Sequence, residues 1–373
     1  MNTRIIIVSL LILGFNSSLQ AQTGAFSITA SLTISEELQS DFKPEGRLFL
    51  FLCEDPRAEP RTQTWPMPWV NNHIFAINLS GVNPDNELIL DQSMDWIKTT
   101  EWDLGGVPEG EYNLQVLWDQ DSDESGINAP GNLFSLKQKV EVDKSLKLEI
   151  SLDQVIEATT VAEHSQVRLV DIKSDTLSSW WGKPMHLKAS VLLPEGYDET
   201  KAYPIRYNVA GYGGRYTRVN RLSGDEEFMK WWNSEDAPRL ISVFLDGEGP
   251  FGDSYQMDSE NSGPYGYSLI NELIPHIESM YRGSDNPDTR FVDGCSTGGW
   301  VSLGLQLYYP DFFGGCFSYS PDAVEFENYQ LLNIYQEENA FVTSFGLERP
   351  VMRNVNGEPL ILFRKFLKYE NVI

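Results

Sequence analysis

The sequence predicts an α/β fold, a mostly parallel sheet covered by helices on both faces, with an all-β sandwich ahead of it. Three observations carry this. Short β-rich segments separated by turns fill residues 24–153, strands alternate with helical patterns from about residue 155, and one strand runs through a cramped glycine–serine corner into a helix. The chain has 373 residues, enough for two or three domains, and is 41% hydrophobic and 12% aromatic, enough for packed cores. With 28 Lys+Arg against 54 Asp+Glu, the formal charge of −26 argues against nucleic acid as a partner, because its phosphates would be repelled. Four histidines and three cysteines are too few for a zinc ribbon or a disulfide framework.

The first element is an export signal over residues 1–21. Arg4 precedes the apolar run Ile5–Phe15, and a polar stretch then leads to the small residue Ala21 before Gln22. The run is well short of the ~20 residues of a membrane span, which disfavours the competing reading of an N-terminal anchor. The first cysteine is Cys53, so a lipid-modified N-terminus is not expected. The mature protein is expected to be secreted or periplasmic, with no stable membrane insertion. Cys53, Cys295 and Cys316 are odd in number, so at least one thiol stays unpaired. Cys53 reads as a small buried hydrophobe, and sequence offers no geometry for a Cys295–Cys316 bridge.

Residues 24–153 read as a sandwich of two antiparallel sheets. Its strand candidates are Phe26–Leu32, Arg47–Cys53, His73–Leu79, Tyr112–Trp118, Leu133–Val142 and Leu146–Leu152, separated by turns such as Pro84-Asp85 and Gly105-Gly106. After the fourth candidate, Asp119, Asp121, Asp123 and Glu124 form an acidic loop. It lacks the glycine and glutamate that a calcium-binding loop needs at its sixth and twelfth positions, so a solvated hairpin end is the favoured reading and no metal is expected.

From about residue 155 to 373 the pattern is α/β. Val167–Ile172, His186–Leu193, Ile205–Ala210 and Ile241–Leu245 read as strands. Tyr267–Tyr281 reads as a helix burying Leu269, Ile270, Leu273, Ile274, Ile277 and Met280. Arg290–Val292 and Cys316–Tyr319 read as strands around a helix from Gly298 to Tyr309. Ligands of such sheets bind beyond the carboxyl ends of the strands. There, Gly294-Cys295-Ser296-Thr297-Gly298 matches G-x-S-x-G between a strand and a helix, the nucleophile elbow of α/β-hydrolases. The glycines allow strand and helix to approach while Ser296 is held in a strained turn at a helix N-terminus. Ser296 is thus the candidate nucleophile, and the Thr297 N–H a candidate oxyanion donor. The bland alternative is a glycine-rich turn in which Ser296 caps the helix. Upstream, Ala210-Gly211-Tyr212-Gly213-Gly214 ends a strand, where such hydrolases draw a second oxyanion donor; the Tyr212 N–H is the first candidate and Gly213 its neighbour.

In order along the chain, Leu192-Leu193-Pro194-Glu195-Gly196-Tyr197-Asp198, Tyr203-Pro204-Ile205, the Gly211–Gly214 loop, Asp246-Gly247, Glu272-Leu273-Ile274-Pro275, Tyr281-Arg282 and the elbow at Ser296 resemble the esterase family that includes esterase D, feruloyl esterases and enterochelin-esterase-like proteins. The resemblance covers about residues 167–322. It implies an α/β-hydrolase fold, cleavage of carboxylic esters by a Ser–His–acid triad, and no cofactor. The usual His-Gly of the oxyanion loop is Ala210-Gly211 here.

A second departure concerns the base. His73, His164, His186 and His276 all precede Ser296 and none follows it, whereas the fold's triad runs Ser, acid, His. Two accounts fit: a chain truncated at its C-terminus, or a complete protein with a degenerate site. Asp322 lies at a sheet end after Ser296, but loop solvation is its favoured reading and the acid stays unassigned. Phe326–Val355 is a candidate insertion over the site, and Leu360–Tyr369 reads as helical. Trp180-Trp181, Trp231-Trp232 and Trp300 could stack on a sugar or an aromatic acyl group, against a stronger expectation of core packing. The resulting expectation is an exported serine esterase for small-molecule or carbohydrate esters. The alternative is a non-catalytic binding or surface protein with a degenerate hydrolase domain.

Overall fold

The computed structural model describes residues 24–325, 327 and 332–373. The export signal at 1–21 lies outside the described residues, as do parts of the expected insertion at 326 and 328–331.

The first sheets are built from β1 (Ile28–Ile34), β2 (Gly46–Cys53), β3 (Asn72–Leu79), β4 (Leu88–Leu90), β5 (Ile97–Lys98), β6 (Gly110–Asp119), β7 (Leu133–Phe134), β8 (Gln138–Val142), β9 (Leu146–Leu152) and β10 (Gln154–Val155). One sheet runs β10-β7-β6-β2-β3-β5 with β8 also on β6, and a smaller one runs β9-β1-β4. Alternate residues of β1 point inward, and Ile28, Leu32, Leu48, Leu50, Phe75, Val116 and Trp118 from the two sheets share one core. Each fully buried Leu or Ile there stabilises the fold by roughly 1.5–3 kcal/mol. Two details differ from expectation. β1 and β9 pair in parallel, Ile28 opposite Leu146, a direction that the long intervening chain permits. Leu133–Val142 is two strands, because the Ser135 hydroxyl accepts from the Val116 N–H at 3.0 Å and interrupts the ladder.

The second sheet comprises β11 (Val167–Ser174), β12 (Met185–Leu192), β13 (Ile205–Val209), β14 (Ile241–Leu245), β15 (Arg290–Cys295) and β16 (Gly315–Tyr319), in the order β11-β12-β14-β13-β15-β16. β11, β12 and β14 meet antiparallel; β14, β13, β15 and β16 are parallel. All five residues of β14 are buried, as a strand covered on both faces requires. Helix α1 (Asp175–Trp181), absent from the sequence reading, starts where the Ser174 hydroxyl caps the Leu177 N–H and ends at left-handed Gly182. Helix α2 (Glu226–Trp232) is capped by Asp225.

The helical run 265–281 (α3) widens into a π turn at Leu269–Leu273, just before Pro275, whose ring leaves the Asn271 carbonyl without its usual donor. Of the expected inward residues, Met280 is instead 55% exposed, and Tyr281, four residues after Ile277, is buried in its place. Helix α4 (Thr297–Tyr308) packs on β15 and β16. The last helix, α5 (Phe363–Val372), packs not on this sheet but on the first: Tyr369 and Val372 are buried beside Phe49, Phe51 and Ile74. Cys53 is a buried free thiol as expected, and Cys295 and Cys316 are also free.

Candidate active site

β15 delivers the chain to Ser296, whose backbone lies at φ 60° and ψ −127°, a region that costs a non-glycine residue about 1–3 kcal/mol. Crowding holds it there. A Cβ on Gly294 would stand 2.3 Å from the Gly298 carbonyl oxygen, and one on Gly298 would stand 2.4 Å from that of Val209. The Ser296 N–H donates to the Tyr319 carbonyl at 3.0 Å, tying the corner to β16. Ser296 occupies the helix N-cap, yet its side chain makes no capping hydrogen bond, contrary to the bland alternative. The residue is exposed while Thr297, Gly298 and Gly299 behind it are buried. Its hydroxyl therefore faces outward at the positive end of α4.

The glycine loop after β13 abuts this corner. A Cβ on Gly211 would lie 3.4 Å from the Cys295 carbonyl oxygen and 3.9 Å from the Ser296 Cβ. The Tyr212 N–H is the expected oxyanion donor of this loop, and the N–H of its neighbour Gly213 acts on the Asp253 carboxyl, lowering its pKa. That leaves Tyr212 as the loop's candidate. Thr297 is the first residue of α4, where a backbone N–H has no acceptor within the helix.

A charged cradle holds the loop. Arg215 donates to Asp246 at 2.8 Å and to Glu124 at 2.7 Å, and the Gly247 N–H reaches the Gly214 carbonyl at 3.3 Å. Burial works to lower the Arg215 pKa, but its bonds to Asp246 and Glu124 outweigh that and raise it. Arg218, which donates to the Leu245 carbonyl at 2.6 Å, is pulled down to about 10 by burial. Burial also lifts the Asp253 carboxyl to about 6, against hydrogen bonds from Tyr255 and Gly213 that lower it. Sequence reasoning missed Arg215 and Asp253, and no local motif marks them.

Glu124 belongs to the acidic loop, which is not a free hairpin end. Besides the Glu124–Arg215 pair, the Ser125 N–H donates to Glu248 at 3.0 Å and Lys183 to Asp123 at 2.5 Å, so the loop docks the first sheets onto the second.

Asp322, expected to be a solvated loop residue, comes to the corner. It accepts from the Thr297 hydroxyl at 2.8 Å and from the Ser296 hydroxyl at 3.5 Å, the second at the edge of hydrogen-bonding range. The histidines are placed elsewhere. His73 pairs with Glu54 at 2.9 Å, His164 accepts from the Gln166 N–H at 3.2 Å, His186 pairs with Asp171 at 2.6 Å, and His276 is exposed on α3.

Two hollows begin at residues adjoining the corner. A groove of about 660 Å³ runs along α4 past Trp300, Leu303 and Leu307, facing Tyr255 and Met257. A cleft of about 410 Å³ lies between Tyr212 on the glycine loop and Trp65 and Asn128 of the first unit. Among the tryptophans singled out by sequence, Trp300 stands beside the corner. Trp232 is a core residue donating to the Leu193 carbonyl at 2.9 Å, Trp181 packs on Phe251, and Trp180 and Trp231 are about half exposed.

Residues 182–340 match the model of a family described as "Putative esterase". The resemblance drawn from the motifs therefore holds over that span. No curated protein matches the chain. Similar solved structures include a ferulic acid esterase from Anaeromyces mucronatus (20% identity, 43% of this chain and 61% of that one, TM-score 0.32). They also include an S-formylglutathione hydrolase from Agrobacterium tumefaciens (18% identity, 44% and 61%, TM-score 0.34). A fluorophosphonate-binding serine hydrolase from Staphylococcus aureus is similar too (17% identity, 55% and 72%, TM-score 0.34). The matched region spans about three fifths of the ferulic acid esterases.

Proposed function

We propose that the protein is an exported serine esterase that cleaves carboxylic esters through an acyl-enzyme on Ser296. The observation that carries this is the strained backbone of Ser296, which lifts an uncapped hydroxyl to the surface against the Gly211–Gly214 loop. The Ser296 oxygen would attack the ester carbonyl carbon and pass its proton to a base. The Thr297 and Tyr212 N–H groups would take the oxyanion, the alcohol would leave with the base's proton, and water would release the acid. No histidine follows Ser296 in the sequence, and no residue is assigned as the base. The placement of all four histidines in other contacts or on an outer helix face favours a second reading, a binding protein with a degenerate hydrolase domain.

Turnover of short-chain p-nitrophenyl esters separates the two. The enzyme reading expects background rates from the present 373 residues, and expects a version extended at the C-terminus to turn over ester and to label with a fluorophosphonate at Ser296. Labelling at another residue would remove the assignment, and an extended version that neither labels nor turns over would favour the binding protein.

A further inference from the structure

The cleft of about 410 Å³ beside the glycine loop is walled by both halves of the molecule: Trp65 and Asn128 from the first, Tyr212, Glu248 and Asp253 from the second, and Glu370 from α5. Two aromatic rings stand open in it, Trp65 at 50% and Tyr212 at 62% exposure. Partial burial first, then Glu370, Asp253 and Glu248, push the Tyr212 pKa up. Arg215 is the cation of the lining, and it is already bound to Asp246 and Glu124. Asp253 and Glu370 have no cationic partner among the described residues. An open cleft with exposed aromatic side chains and uncompensated carboxylates suits a compact organic cation, which gains from both the ring quadrupoles and the negative potential.

We propose that this cleft binds a quaternary ammonium or amine group, held against Trp65 and Tyr212 and facing Asp253, Glu248 and Glu370. Because Tyr212 also belongs to the glycine loop, the cation would be the alcohol half of the ester; this last step rests on the esterase reading, whereas binding in the cleft does not. A neutral sugar would need ring stacking and hydroxyl partners but would gain nothing from the excess of carboxylates.

The test is titration calorimetry of the 373-residue protein with choline and with 3,3-dimethylbutan-1-ol, its uncharged isostere, and with glucose as the neutral-sugar arm. The expected result is binding of choline alone, weakened by added salt. Trp65→Ala should weaken it about fivefold through the lost ring. Glu370→Gln, on the exposed face of α5, should weaken it by a smaller factor without disturbing the fold. Equal binding of choline and its isostere, binding of glucose alone, no binding of choline, or indifference to both substitutions would each overturn the proposal. Ser296→Ala should leave choline binding intact. If choline binds and an extended chain turns over p-nitrophenyl esters but no choline ester, the alcohol-half assignment fails while the cation site and the esterase reading stand. If it turns over neither, the esterase reading fails and the cation site stands.

Discussion

The corner at Ser296 and the acidic loop after β6 both follow a buried strand, and both stand out in the sequence, but their determinants lie at different distances. At the corner, one crowding contact lies inside the motif, Gly294 against the Gly298 carbonyl, and the other sets Gly298 against the Val209 carbonyl of β13. In the acidic loop, the partners of Glu124 and Ser125 are 91 and 123 positions away. The difference teaches that a close backbone approach leaves a local mark, the glycines it requires, whereas a charge acquires meaning only from a partner that the fold brings to it.

Substitutions can break that comparison. The largest effect is expected at the corner. Gly298→Ala puts a Cβ 2.4 Å from the Val209 carbonyl oxygen, where backbone must move, and should cost about 3 kcal/mol in urea unfolding. A cost below about 1 kcal/mol would show the corner to be pliant. Next is Arg215→Ala, which leaves Asp246 and Glu124 facing one another without a cation. About 2 kcal/mol is expected by the same measurement, and Glu124→Ala should cost less because Asp246 still holds the guanidinium.

A smaller effect concerns pH. The folded pKa of Asp253, about 6, lies above the ordinary aspartate value of 3.8, so the folded state holds this proton more tightly. Its contribution to stability is complete below about pH 3.8 and is lost as pH rises through about 6. Asp253→Asn should therefore flatten the fall in melting temperature between those values; an unchanged profile would show that Asp253 is ionised when folded. Asp119, also raised to about 6 by burial, acts in the same direction and remains in that variant. The smallest effect is Asp123→Asn, which removes an exposed pair with Lys183 and should cost no more than about 0.5 kcal/mol.

Much of the second sheet was legible because its strands are fully apolar and its turns glycine-rich. Ile241–Leu245 matches the observed strand, and the helix expected from Gly298 begins one residue earlier. β4 and β5, of three and two residues, fell below any periodic pattern, and the half-exposed tryptophans of α1 hid a helix marked only by its caps. Among site residues, Ser296 and Thr297 open α4 at the corner, and the glycine loop that carries Tyr212 abuts it through Gly211. Asp322 is exposed on a loop as expected, but its position after β16 gives no hint of the hydrogen bond it accepts from the Thr297 hydroxyl.

By itself, then, the amino-acid order determined that a cramped turn falls at Gly294–Gly298 between apolar strands, since glycine spacing and water avoidance are written in short stretches. Only the tertiary structure decided that α5 crosses back to the first sheet, that the acidic loop grips Arg215, and that Trp65 and Tyr212 share a cleft. Those pairings depend on chain direction over long separations, and short-range sterics do not encode them.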